Sequence, residues 1–180
     1  MFTLEAGLDE VRRAPSSSGR VELIVRRPRV ESREVVTEAA LDEREGLVGD
    51  CWRVRGCRAT ADGRAHPDRQ ITLMSARSAG LIAGDRERWP LAGDQFYVDL
   101  DLSVANLPPG TQLEIGSALL EVTAEPHRGC GKFLQRFGVD ALKFVNSAAG
   151  REVNLRGVNA RVFRGGIVRT GDVICKRPVV

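Results

Sequence analysis

Ala118-Leu119-Leu120-Glu121-Val122-Thr123-Ala124-Glu125-Pro126-His127-Arg128-Gly129-Cys130-Gly131-Lys132-Phe133 holds the pattern from which the rest of the chain is read. Its first half alternates, with Ala118, Leu120 and Val122 on one face and Leu119, Glu121 and Thr123 on the other, which is the period of a strand. Pro126 and the two glycines then make a corner that carries one thiol, one imidazole and two cations, and a helical pattern begins at Lys132. Cations and helix starts both favour the thiolate form of a cysteine. Cys130 is therefore the best candidate in the chain for a metal ligand or a sulfur nucleophile. The other reading is a small buried apolar residue, a common fate of free cysteine.

Strands and turns extend from this stretch in both directions. Residues 111–115 and 117–124 read as neighbouring strands joined through Gly116, after the tight connection Leu107-Pro108-Pro109-Gly110. Residues 96–100 are strand by aromatic and β-branched content. Residues 69–74 are another, followed by a helix over 76–83 with Ser75 as its cap and Gly84 as its stop. Trp89-Pro90 and Gly93-Asp94 break the region between. Residues 20–27 form a strand that Pro28 ends, and Val35-Val36-Thr37 leans the same way. Gly46-Leu47-Val48-Gly49-Asp50-Cys51-Trp52 is a compact turn, in which Asp50 either bonds nearby amides or presents its carboxylate to a site.

Downstream, Phe133, Leu134 and Phe137 mark a helical face that stops at Gly138, and Leu142, Phe144 and Val145 mark a second helix reaching towards Ala149. Gly165-Gly166, between residues 160–164 and 167–169, is a two-residue hairpin signal. Residues 173–176 are the last strand, with Cys175 read as core. Short strands outnumber helices and do not alternate with them, which argues against a doubly wound parallel sheet. The expected fold is mainly β, a closed or partly closed β-barrel with a few short helices. Residues 1–19, loosened by Pro15-Ser16-Ser17-Ser18-Gly19, are expected as an N-terminal extension to a barrel domain over 20–180.

Composition narrows the function. Lys plus Arg number 27 against 24 Asp plus Glu, a net charge of +3, and the two signs are interspersed. No basic run interleaved with aromatic rings is present, so nucleic acid is not an expected partner. A local cluster of arginines can still attract a small anion. The 4 cysteines form no CxxC pair, and Cys51, Cys57 and His66 fit no tight zinc spacing. Early acids and the lack of an apolar stretch at the start argue against a signal peptide, and no apolar run approaches the roughly 20 residues of a membrane helix. The expected location is the cytoplasm, with no membrane association.

Several separated pieces fall into one order: Gly46-Leu47-Val48-Gly49-Asp50, Arg69-Gln70-Ile71-Thr72-Leu73, Gly110-Thr111-Gln112-Leu113-Glu114-Ile115-Gly116, the Cys130-Gly131-Lys132-Phe133 corner, Leu155-Arg156-Gly157-Val158-Asn159-Ala160-Arg161-Val162, and Gly165-Gly166-Ile167-Val168-Arg169-Thr170-Gly171-Asp172. That order resembles a stand-alone MOSC domain, the module named for the C-terminal part of molybdenum cofactor sulfurases, over about residues 20 to 177. The resemblance implies a barrel-like β fold, similar to the pyruvate kinase barrel, and binding of the pterin-dithiolene molybdenum cofactor. It also implies a signature cysteine in this corner, here Cys130, acting as a molybdenum ligand in members that reduce N-hydroxylated compounds or as a sulfur carrier in the sulfurase setting. Where many members carry a Gly-Glu-Asn triplet this chain has Gly93-Asp94-Gln95, and where many carry proline before the cysteine it has Gly129.

The residue types suit that chemistry. A soft thiolate can complete the coordination of a dithiolene-bound metal. The cofactor phosphate needs cations, for which Arg69, Arg128, Lys132 and Arg156 are candidates; Gln70 and Asn159 are candidates for reading pterin edges. His127 can donate to the thiolate or relay a proton, being the side chain most easily titrated near neutrality. No pyridoxal phosphate lysine motif and no iron–sulfur cysteine set is visible, so neither cofactor is expected in this chain. Three functions stay open: a molybdenum-dependent oxidoreductase acting on a small N- or S-oxygenated substrate with a separate electron-donor protein, a sulfur carrier using a Cys130 persulfide from a sulfur-donor protein, or a non-catalytic ligand-binding module.

Overall fold

The computed structural model describes Leu4 and residues 6–57 and 59–178; Met1–Thr3, Glu5, Arg58 and Val179–Val180, and with them the start of the expected extension and the end of the expected barrel domain, lie outside the described residues. The strands in chain order are β1 (Ser18–Arg26), β2 (Glu34–Val36), β3 (Glu38–Asp42), β4 (Gly46–Leu47), β5 (Ile71–Ser75), β6 (Phe96–Asp99), β7 (Gln112–Ile115), β8 (Ala118–Val122), β9 (Val158–Arg164), β10 (Gly166–Arg169) and β11 (Val173–Lys176). The helices are α1 (Leu8–Arg12), α2 (Trp52–Arg55), α3 (Ala76–Ala83), α4 (Gly131–Val145) and α5 (Ala148–Glu152), with 3-10 turns at Pro67–Arg69 and Arg86–Ala92.

Strand β1 closes the barrel because it pairs on both edges. Val21 faces Val98 of β6 on one side and Gly19 faces Ile174 of β11 on the other. The ring runs β1-β6-β5-β9-β8-β7-β11, seven strands in all, and β2 hangs on the far part of β1. All neighbours in the ring are antiparallel except β5 and β6. That parallel pair needs a long crossover, which α3 and the Arg86–Ala92 turn supply. A small second sheet, β10-β3-β4, packs beside the barrel.

Alternation explains the two apolar layers. Ile24, Ile71, Leu73, Phe96, Val98, Leu113, Ile115, Leu120 and Ile174 fill the barrel, whereas Val25, Met74 and Tyr97 point outward and meet Phe133, Phe144 and Leu155 under the helices. Strands β5 and β6 are thus covered on both faces, so residues 71–75 are all buried although Thr72 and Ser75 are polar. Leu8 and Val11 of α1 join the outer layer. Each large aliphatic or aromatic side chain so buried contributes about 1.5–3 kcal/mol.

Several local expectations hold: α3 begins after Ser75 and stops at Gly84, which has φ 70°. Others are corrected by long-range contacts. Gly165-Gly166 is not a hairpin turn, since β9 pairs with β5 and β8 while β10 pairs with β3. Neither glycine has the positive φ that a primed turn needs. They are small because the backbone passes close to strands β8 and β3: a Cβ on Gly166 would stand 2.6 Å from Ala118 N, and one on Gly165 would stand 2.7 Å from Leu41 O. Cys175 is half-buried rather than core, because Ile174 takes the inward position and Cys175 faces out towards Glu114. The break at Trp89-Pro90 lies inside the Arg86–Ala92 turn. Gly138 does interrupt the helix, with φ 84°, ψ 173°, but the chain resumes to Val145 and a separate α5 follows.

Candidate functional site

A pocket of about 650 Å³ opens on the outer face of β5 and β9, between the loop after β1 and the start of α4. Its position follows from strand alternation. Ile71 and Leu73 point into the barrel, so Thr72 points out, and its cross-strand partner Asn159 does the same. The 126–130 corner and the first turn of α4 then form one wall, and residues 29–33 form the opposite wall.

The floor is a buried charge cluster. Asp94 is 0% exposed and receives Arg156 Nη1 at 2.5 Å on Oδ2, while Arg156 Nη2 donates to Ala92 O at 2.8 Å. The guanidinium also lies over the Phe133 ring at 5.2 Å, a cation–π contact. A second buried arginine grips the same turn from the other side. Arg27 donates Nη1 to Gly93 O at 2.9 Å and holds Asp50 through Nε at 2.8 Å and Nη2 at 2.9 Å. Asp50 thereby serves as the anchor of Arg27, and it also accepts the backbone N–H groups of Arg27 and Trp52. Arg156 reaches the floor because Gly157, at φ 97°, lets the chain turn into β9 so closely that a Cβ there would stand 2.0 Å from Leu73 O.

His127 stands over this cluster with 14% of its side chain exposed and Nδ1 at 3.5 Å from Asp94 Oδ1. Burial, reinforced by the Arg156 cation and only partly offset by Asp94, pushes its pKa down to about 3. The expectation of a histidine titrating near neutrality is therefore corrected: the ring is neutral at physiological pH. Asp94 Oδ1, His127 Nδ1 and Arg156 Nε are all sealed from solvent and unpartnered, the first two facing each other at the outer limit of hydrogen-bonding distance.

The walls are cationic. Arg29, Arg33, Arg55, Arg69, Arg128, Lys132 and Arg136 line the pocket along with the two buried arginines, and Glu31 is the sole acid among the described lining residues. Arg69 is held by Glu125 at 2.9 and 2.7 Å, which strengthens its hold on its proton, and His66 lies on the same carboxylate at 3.6 Å. Glu31, itself at the unusual φ 66°, joins the two walls by pairing with Lys132 and with Arg136 at 2.5 Å. The bond from Lys132, the largest cause, lowers the pKa of that carboxyl. Arg29, Arg55 and Arg128 form no ion pair with the described residues.

Cys130 is exposed at the rim, immediately ahead of α4. Its loop is clamped by Asn146, whose Oδ1 accepts Gly129 N–H at 3.1 Å and whose Nδ2 donates to Gly129 O at 3.2 Å. A Cβ at 129 would stand 2.8 Å from both Leu142 and Val145 side chains. Glycine with an asparagine clamp thus fixes the corner here, a position where proline could not give the N–H.

The pocket brings together Cys130, His127, Arg69, Arg128, Lys132, Arg156 and Asn159. Gln70 does not line it: its side chain donates to Glu43 O at 2.9 Å and accepts Val162 N–H at 2.7 Å, both within the protein. Sequence reasoning missed Asp94 as a site residue, and missed Arg27, Arg33 and Arg136 altogether. The Gly93-Asp94-Gln95 triplet was the available signal for the first; Arg27 and Arg136 carry none, since their partners Asp50 and Glu31 lie far off in sequence, and Arg33 bonds to its near neighbour Glu31, a local pairing that marks no site. Among the described residues no three His, Cys, Asp or Glu side chains converge where they would hold a bare ion. The cation lining and the thiol at the rim fit a phosphate-bearing, metal-carrying organic cofactor.

Comparison with known proteins accords with the family resemblance and with the fold. The family profile described as the MOSC domain matches residues 60–175. The YuaD protein of Bacillus subtilis has a similar structure, with a TM-score of 0.59 at 19% identity over 87% of this chain and 94% of that one. YiiM from Escherichia coli aligns with a TM-score of 0.58 at 21% identity over 89% and 71% of the two chains. YiiM from Geobacillus stearothermophilus aligns at 0.55 and 14% identity over 92% and 75%. At such identities these likenesses show a shared fold. A segment of 83 residues is also 32% identical to U3 small nucleolar RNA-associated protein 25 of Candida tropicalis, covering 44% of this chain; the chain spans only 12% of the length of that relative.

Proposed function

The chain belongs to the MOSC domain family, and on that premise we propose that it binds the pterin-dithiolene molybdenum cofactor and reduces small N- or S-oxygenated compounds. The observation that carries the reading is the meeting of an exposed thiol, Cys130, with a pocket walled by cations. Cys130 would ligate molybdenum. Arg128, Lys132, Arg136 and Arg33 would hold the cofactor phosphate, with guanidinium forks matching its oxygens. Thr72 and Asn159 would meet the pterin from β5 and β9. When bound, the cofactor supplies transfer of an electron pair and acceptance of the substrate oxygen. The buried arginines Arg27 and Arg156 hold the floor turn rigid, so the cation wall does not reorganise as charge shifts. His127, being neutral, is not the acid that protonates the leaving oxygen; protons reach the site through its open mouth. Electrons come from a separate donor protein.

The exposure of Cys130 favours a second reading, in which its thiolate carries a persulfide between partner proteins. One comparison separates them: molybdenum and pterin content of wild type and Cys130→Ala, both purified from a cofactor-producing host. About one metal per chain in wild type and none in the variant is the expected result. No molybdenum in either overturns the first reading, and cyanide-labile sulfur on wild type alone then supports the second.

A further inference from the structure

We infer that Asp94 is a positioning residue, whose carboxylate orients the His127 ring so that Nδ1 carries the proton and Nε2 faces the pocket as a hydrogen-bond acceptor. The inference rests on the reading of this pocket as the ligand site, but on none of its molybdenum chemistry.

The geometry leaves one consistent arrangement of protons. Asp94 Oδ2 accepts from Arg156 in a buried ion pair, and the second carboxylate oxygen, Oδ1, is an acceptor. His127 Nδ1 stands 3.5 Å from Oδ1, and both atoms are sealed and otherwise unpartnered. With Nδ1 bare, two lone pairs would oppose each other in a dry site, and two buried polar groups would go unsatisfied. A proton on Nδ1 satisfies both at once. The carboxylate cannot swing away, because the turn that carries it is tied down by Arg27 at Gly93 O and by Arg156 at Ala92 O. Burial opposes a second proton, and the Arg156 and Arg27 cations beside the ring add to it, so the ring stays neutral. Nε2 is then bare; it makes no bond to the described residues and is not among the sealed atoms, while His127 lines the pocket.

This gives the pocket two kinds of recognition. The walls are donors and draw the anionic part of a ligand, whereas the floor offers a lone pair and meets an N–H or O–H group. A carboxylate or phosphate oxygen placed at Nε2 would find no donor there. Asp94 acts only through His127 and touches no ligand itself.

The test is imidazole NMR on the ligand-free chain with nitrogen-15 histidine, so that its result does not depend on cofactor loading. The chain has 2 histidines, and the His66→Gln variant assigns the spectrum. The expected spectrum of wild type shows His127 with a protonated Nδ1 and a bare Nε2, unchanged from pH 7.5 to 5.5. Asp94→Asn, whose amide can donate to Nδ1, shifts the ring towards the Nε2–H form. A wild-type ring protonated on Nε2, a doubly protonated ring at pH 6, or a tautomer that is unaltered in Asp94→Asn would each overturn the inference. Should Asp94→Asn not fold, the wild-type Nδ1 proton decides: slow exchange with water, as a sealed hydrogen bond to Asp94 requires, supports it, and fast exchange refutes it. Loss of metal loading in Cys130→Ala, or its absence in wild type, leaves this spectrum unaffected, so the two proposals fail separately.

Discussion

Replacing His127 with asparagine should remove a specific acid sensitivity of the fold. Asn places an amide nitrogen close to where Nδ1 stands, so a donor to Asp94 remains while the titrating ring is gone. In wild type the ring gains its proton at about pH 3 when folded and near 6.5 when unfolded. The folded pKa is the depressed one, so the unfolded chain binds the extra proton first. Stability is therefore full above pH 6.5 and is lost as pH falls towards 3. Between pH 8 and pH 5 the loss from this one group amounts to about 2 kcal/mol, with a limiting slope of about 1.4 kcal/mol per pH unit. The 14% of the side chain left open to water makes this an upper value. Urea unfolding of both proteins at half-unit steps from pH 8 to 5 is the assay. Any constant loss from the smaller side chain displaces the variant curve without tilting it. The wild-type curve should fall more steeply below pH 6.5, the difference reaching about 2 kcal/mol at pH 5. Parallel curves would mean that His127 titrates in the fold as it does unfolded, and the account of the buried floor would be wrong.

Further outcomes follow from the same floor and walls. Asp94→Ala leaves the Arg156 charge buried without its partner and should cost about 3–5 kcal/mol, seen as a fall of roughly 10 °C in Tm; a change of only a degree or two would show that water enters the floor freely. Gly157→Ala meets both a positive φ and Leu73 O and should destabilise by more than about 2 kcal/mol, read by urea titration, whereas wild-type stability would refute the close approach. Glu31→Gln frees Lys132 and Arg136, so pyrophosphate should bind about three- to tenfold more tightly at low salt and lose that advantage near 0.5 M salt, as exposed charge pairs do; calorimetry showing unchanged or weaker binding would place the anion elsewhere.

Much of the fold was legible because it is written in short-range patterns. Strand β11 and helix α3 were readable from alternation and a glycine stop, both properties of adjacent residues, although Ser75 stands at the start of α3 without a capping bond from its side chain. The Gly165-Gly166 misreading marks the boundary of that method. The same dipeptide suits a tight turn or a close backbone passage, and only the pairing of β10 with β3 distinguishes them. The candidate site divides along similar lines. The corner from His127 to Lys132 is contiguous and could be found from residue types alone. Asp94 reads locally as a turn aspartate, and its burial under Arg156, 62 positions away, is a fact of the closed barrel.

The sequence by itself determined the strand-rich character of the chain, the family resemblance and the thiol corner, because each depends on residues that are near neighbours or on the order of short motifs. Tertiary structure decided which of the 27 basic residues share one pocket, that Gln70 turns away from it, and that His127 is neutral. These outcomes depend on burial and on charges brought together by β1 closing against β6 and β11. Desolvation and Coulomb forces act through space, and distances through space exist only once the barrel is closed.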